Sequence, residues 1–273
     1  MGKGELERVQ PALLHGSDHV LPQWRRVRDP ELAGNPSVTA LLVVGAGPGV
    51  GTTKVCAAVA ALAVERSAGC TVVQPAETGV ADGAEGSLAT VARLAQGART
   101  VELTRFPDRL PPAAAARWSG RPALDPAVCA EAVLSASRDG GLAVVDASGG
   151  LLVRYDDDGS TPAALARTLR LPVVVVAGAG DGAVNATALT LEAAASRGLA
   201  LLGVVLGRWP VDPGPAERSA VDDLEMLAAR PLLGALPPAS CDPGVFREQA
   251  RTGLGPALGG AFDAAAFRRR ARS

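Results

Sequence analysis

Lysine is almost absent from this chain. Lys3 and Lys54 are the two lysines among 27 basic residues, the rest being arginine. On a surface that bias is bland. In a phosphate site it is not, because arginine can carry lysine's charge and a neutral side chain cannot. Aromatic residues make up 3% of the 273 positions, so Ala, Val and Leu must do the packing. Both histidines, His15 and His19, fall in the first twenty residues. The rest of the chain therefore lacks what Ser-His-Asp, Cys-His and most zinc sites require. The two are four apart, a spacing that suits either a solvated pair in a tail or a metal on a helix. Four cysteines (Cys56, Cys70, Cys129 and Cys241) are scattered with no CxxC. They read as small buried hydrophobes in a reducing cytoplasm. No apolar run approaches the roughly 20 residues of a bilayer span. The opening MGKGELERVQ lacks the apolar core of a secretory signal, so a cytoplasmic location is expected. A formal net charge of −1 points to neither nucleic acid nor an anionic membrane as partner.

What is present is a regular alternation. Apolar strand signals fall at Leu41–Val44, Thr71–Gln74, Leu142–Asp146, Val173–Ala177, Leu201–Leu206 and Leu233–Leu236. Helical periods fall between and after them at Thr53–Arg66, Ser87–Gln96, Pro126–Ser137, Thr161–Thr168, Val184–Arg197 and Ala216–Ala229. Continuous runs such as PVVVVAG imply a sheet buried on both faces. Strand and helix in alternation imply right-handed crossovers and a doubly wound, mostly parallel α/β sheet. One such domain is expected over residues 38–273, after an N-terminal extension over 1–37 that shows no clear period. Trp24, beside Arg25 and Arg26 in that extension, could dock on the body or on a partner. The acidic run Asp156–Asp158 reads as a solvated turn.

Ligands of such sheets sit beyond the carboxyl ends of the strands, and the first strand ends in GAGPGVGTTKV, Gly45 to Val55. Strand, glycine loop and helix are the setting of a P-loop, whose backbone N–H groups and helix N-terminus wrap a phosphate. A complete P-loop ends in Gly-Lys-Ser/Thr. Here the ending is Gly51-Thr52-Thr53. Lys54 comes two residues late, and two residues are about 200° of helical rotation, so it should point away from the phosphate.

Two further segments follow strands: QPAETG (Gln74–Gly79) and VVDASGGLLV (Val144–Val153). With the loop at Gly45, and with RFPDRLPPAAAARWSG (Arg105–Gly120), NATALTLEA (Asn185–Ala193) and GVVLGRWP (Gly203–Pro210), their order resembles the dethiobiotin synthetases. The resemblance covers about residues 39–265. It implies a P-loop NTPase type of fold, a cytoplasmic homodimer, and an ATP- and magnesium-dependent ligase. Such an enzyme closes a ureido ring on 7,8-diaminopelargonate with CO2, by phosphorylating a carbamate and letting the second amine displace phosphate.

Carried over by position, the resemblance implies a nucleotide site at Gly45, Gly49, Val50, Gly51, Thr52 and Thr53, with Thr53 the magnesium-binding hydroxyl. Gly207 and Arg208 follow the strand where the family holds the base. Asp146 stands for a magnesium-binding glutamate, and Thr78, Gly149 and Gly150 for substrate contacts. The family's loop reads roughly GTxTxVGKT and its second segment KPVQTG. Thr52 therefore replaces one lysine, Gln74 replaces another at the catalytic position, and Pro48 replaces a substrate-side threonine. A second metal carboxylate is missing at Ser87, with Glu85 and Asp82 as upstream stand-ins. Phe106 and Trp118 lie in a lid or dimer segment of the family. Losing one preorganised charge stabiliser commonly costs about 3–4 kcal/mol of transition-state stabilisation. The residues leave open an impaired ligase, a non-catalytic nucleotide- or partner-binding relative, and a ligase of altered substrate.

Overall fold

The computed structural model describes residues 39–272, apart from 68, 139, 140 and 148. The expected extension over 1–37, with His15, His19 and Trp24, lies outside them. The chain runs β1 (Ala40–Gly45), α1 (Thr52–Glu65), β2 (Cys70–Gln74), β3 (Glu77–Thr78), α2 (Ser87–Leu94), β4 (Arg99–Glu102) and β5 (Arg105–Phe106). It continues through α3 (Pro112–Ser119), α4 (Pro126–Ala136), β6 (Leu142–Ala147), α5 (Pro162–Leu169), β7 (Val173–Ala177) and α6 (Ala183–Ala195). The last elements are β8 (Leu201–Leu206), α7 (Pro215–Ala228), β9 (Gly234–Ala235), α8 (Pro243–Gly253) and α9 (Ala264–Arg272).

Seven strands form one sheet in the order β4-β2-β6-β1-β7-β8-β9, and every pairing in it is parallel. Strand alternation sorts the core into two faces. Leu42, Val44, Val173 and Val175 face the layer of α4, α5, α6, α7 and α9. Leu41, Val43, Val174 and Val176 face α1, α2 and α8. Helix α1 is buried along Val55–Ala63, because it lies between the sheet and both α2 and α8. That explains its run of alanine and valine: a helix covered on all sides needs small apolar residues all round. The order also reverses at β1, which sits between β6 and β7, so the crevice at the strands' carboxyl ends opens above it.

The remaining strands, β3 and β5, pair with each other apart from the main sheet. Phe106 packs there against Ala115 and Ala116 of α3, so it is a core residue of this annex, whereas Trp118 is exposed. Two expectations need correction. Cys241 is exposed, unlike the other three cysteines. Asp156 is buried and its carboxylate accepts from the Ser160 backbone N–H at 2.8 Å, so the acidic run is a stapled turn with two solvated members.

Candidate functional site

The glycine loop leaves β1 and re-enters the helix at Gly51, which serves as N-cap of α1 with φ 99°. That left-handed conformation favours glycine, and no side chain caps the helix. The first N–H groups of α1 therefore face the crevice without a protein acceptor from the cap. Behind the loop lies Gly207, at the end of β8. A Cβ there would stand 2.2 Å from the Val50 carbonyl oxygen and 2.6 Å from Val176 Cγ1. Glycine at 207 is thus what lets the β8 end close against the loop.

A cleft of about 420 Å³ opens over this junction. Gly49, Gly51, Thr52 and Thr53 line it from the loop, together with Gly47 and Pro48. Ser87 and Thr90 of α2, Gly149 beyond β6, Arg208 beyond β8, Lys54 and Ala239 complete it. Thr53 Oγ1 donates to Asp146 Oδ2 at 2.6 Å. Asp146 sits at the carboxyl end of β6, level with Val43 of β1, and is 1% exposed. Gly45 closes β1, where an added Cβ would meet Thr52 Oγ1 at 2.6 Å. Gly150 has φ 112°, with the Gly45 carbonyl 3.9 Å from where its Cβ would be.

Gln74 and Thr78 are not among the cleft's lining residues. Gln74 is 1% exposed and donates from Nε2 to Ser87 Oγ at 2.6 Å. Thr78 belongs to β3, in the small annex. Gln74 Oε1 finds no partner among the described residues. The sequence reading missed Glu77. Its Oε2 accepts from the Ser87 backbone N–H at 2.6 Å and from Ser87 Oγ at 2.5 Å. Glu77 therefore anchors the first turn of α2 and is the carboxylate next to Ser87. Of the two upstream stand-ins, Asp82 is paired with Arg121 at 2.6 Å and Glu85 is exposed. A carboxylate following the buried Ala76, at the start of β3, was visible in QPAETG, but its distance from Ser87 in sequence hid the contact.

Two cations border the cleft. The Lys54 ammonium donates to the carbonyls of Pro237 and, at 3.4 Å, Gly207. It is held by those carbonyls and still lines the cleft. Burial, and then the neighbouring Arg208 charge, lower its pKa from 10.5 to about 8. Arg208 is exposed, and its guanidinium lies against the loop, 3.5 Å from the Gly49 carbonyl. Beneath the site, burial pushes the Cys56 thiol well above its usual range, with the Asp146 charge adding to it, so this cysteine stays an inert thiol.

The donor set can be tested against a metal. A hydroxyl and a carboxylate oxygen in contact, beside an uncapped helix N-terminus, form an all-oxygen pair that suits a hard divalent cation. Magnesium typically takes one or two carboxylates plus waters and phosphates. No group of three or more His, Cys, Asp or Glu residues able to hold a metal occurs among the described residues. Asp146 also argues for a cation physically: a buried carboxylate beside a phosphate cradle repels the phosphate unless positive charge lies between them.

A parallel sheet with a glycine loop between its central strand and first helix, and a carboxylate ending the neighbouring strand, defines a P-loop nucleotide-binding protein. A family profile described as an AAA domain (AAA_26) matches residues 39–241. The ATP-dependent dethiobiotin synthetase of Parafrankia sp. is 52% identical over 235 residues, 85% of this chain and 99% of that protein. The corresponding synthetases of Frankia casuarinae and Saccharopolyspora erythraea are 51% and 50% identical, over 85% and 82% of this chain and 99% and 98% of their own lengths. The chain belongs to the dethiobiotin synthetase family.

Proposed function

We propose that this chain binds ATP with magnesium in the cleft over α1 and performs the dethiobiotin synthetase reaction on 7,8-diaminopelargonate and CO2 at a strongly reduced rate. The observation that carries the reading is the Thr53–Asp146 contact of 2.6 Å at the base of the glycine loop. Binding elements remain, while positions 52 and 74 are neutral.

In this reading the backbone N–H groups from Gly49 to Thr53 hold the phosphates, and Gly51 and Gly207 keep the loop closed. Thr53 and Asp146 would hold magnesium, which when bound neutralises charge on the phosphates. Gly149, whose φ of 101° exposes its backbone at the cleft, borders the substrate side with Gly150. Gln74 offers no positive charge and is tied to Ser87, so it orders the floor beside α2 and leaves the transferring group poorly balanced. Thr78 follows Glu77 in β3, next in the chain to the carboxylate that anchors α2. Family membership supports a cytoplasmic location and a homodimer as part of this reading. No helix among the described residues is long and apolar enough to cross a membrane.

The neutral residues at 52 and 74 favour a second reading, in which the cleft binds nucleotide or a partner and no longer turns over. Titration calorimetry with ATP, in magnesium and then in EDTA, tests what the two share. Binding that weakens at least tenfold in EDTA, and loses that dependence in Asp146→Asn, is the expected result. Absence of ATP binding in magnesium would overturn the first reading and leave of the second only partner binding.

A further inference from the structure

Position 52 lacks a cation, yet the cleft is not without one. Lys54 and Arg208 both border it, and they differ in how they are committed. The Lys54 ammonium is held by the carbonyls of Pro237 and Gly207. Arg208 is exposed, forms no ion pair among the described residues, and has one hydrogen bond, to the Gly49 carbonyl at the long distance of 3.5 Å. Guanidinium carries five N–H donors in a fork that matches phosphate oxygens, so most of that capacity is open to a ligand.

Its placement is fixed by backbone. Gly207 closes on Val50, and this carries residue 208 onto the loop. A Cβ at Gly51 would stand 2.8 Å from the Gly207 carbonyl and 3.1 Å from Arg208 Cγ. The arginine stem therefore runs directly along Gly51, and its head reaches Gly49. The charge is delivered to the loop from β8 rather than from α1.

Resting on the nucleotide reading above, we propose that Arg208 is the phosphate-binding cation of this protein, contacting the phosphates in place of the missing lysine at position 52. A role in stacking on the base is the competing use of the same side chain. The two differ in ligand dependence: a phosphate contact acts on any polyphosphate, a stacking contact only on a ligand with a base.

Calorimetry on the full chain with ATP–magnesium and with inorganic tripolyphosphate–magnesium separates them. Arg208→Ala should weaken both ligands by a similar factor, about tenfold or more for a lost charge-assisted contact. Arg208→Lys should recover part of the loss for both. Thr52→Lys should rescue Arg208→Ala, because it restores a cation to the same phosphates from the other side. The residue is exposed, and an unchanged thermal transition of Arg208→Ala confirms that the fold is kept. Loss for ATP with tripolyphosphate unaffected would overturn the proposal in favour of base stacking. Unchanged affinity for both would overturn it outright. If the wild-type chain bound neither ligand, the nucleotide reading would fall, and this assignment with it.

Discussion

Thr52→Lys is the most informative single change, because the structure predicts opposite signs for it with and without ligand. Thr52 is the first residue of α1 and lines the cleft. Lysine is a somewhat better helix former than threonine, so the backbone should accept it. In the ligand-free protein the new ammonium would sit at a helix N-terminus with no acidic residue in its first turn. A cation there costs about 0.3–1 kcal/mol, reduced by the nearby Asp146 carboxylate. Ligand-free stability should therefore fall by no more than about 1 kcal/mol. With ATP–magnesium the same ammonium gains a charge-assisted phosphate contact of about 1.5–3 kcal/mol, or roughly tenfold to 150-fold in Kd. Calorimetry gives the affinity, and urea unfolding of the ligand-free protein gives the stability. A lysine that stabilised the free protein and left ATP affinity unchanged would show that the loop does not receive phosphate.

Gly207→Ala should couple fold and site. A Cβ 2.2 Å from the Val50 carbonyl forces the loop and β8 apart, so the urea midpoint should fall by the equivalent of about 1–3 kcal/mol, with nucleotide affinity dropping alongside; an affinity unchanged in a folded variant would contradict the loop packing described. The Lys54 ammonium predicts a pH dependence. Its pKa in the free protein is about 8, and bound phosphate favours the charged form, so the complex holds more protons than the free protein. ATP affinity should then decline as pH rises above about 8. Calorimetry at pH 8 in buffers of different ionisation enthalpy should show uptake of up to about half a proton; proton release would contradict it.

How much of this was legible in sequence depended on whether a residue's role travels with its local pattern. The strands at Val173–Ala177 and Leu201–Leu206 emerge with the expected bounds, because a strand buried on both faces writes itself as an apolar run. Edge strand β4, RTVE, is polar and partly exposed, and carries no such run. The two-residue strands β3 and β5 are too short to show a period. Helices α8 and α9 mix arginine, glutamate and small residues, so their narrow buried stripes, Phe246 with Ala250 and Phe267 with Ala271, did not stand out. In the site, Thr53 and Asp146 were legible because each ends or begins a recognisable element. Glu77 was not: its contact with Ser87 needs the turn between β3 and α2, which only the folded chain supplies. Gly207 was legible as a nucleotide-site position by resemblance, but its packing against the loop was hidden, since that lies in what a Cβ would strike.

The central claim is that the fold and the metal pair persist while the charges that drive phosphoryl transfer have been thinned. Steady-state formation of dethiobiotin from 7,8-diaminopelargonate, CO2 and ATP–magnesium by the purified wild-type chain tests it most directly. The account predicts turnover far below the ordinary enzymatic range, raised by Thr52→Lys with Gln74→Lys together more than by either alone, since both would act on one transferring group. Turnover of about 1 per second or faster in the unaltered chain, the ordinary range for enzymes, would contradict it.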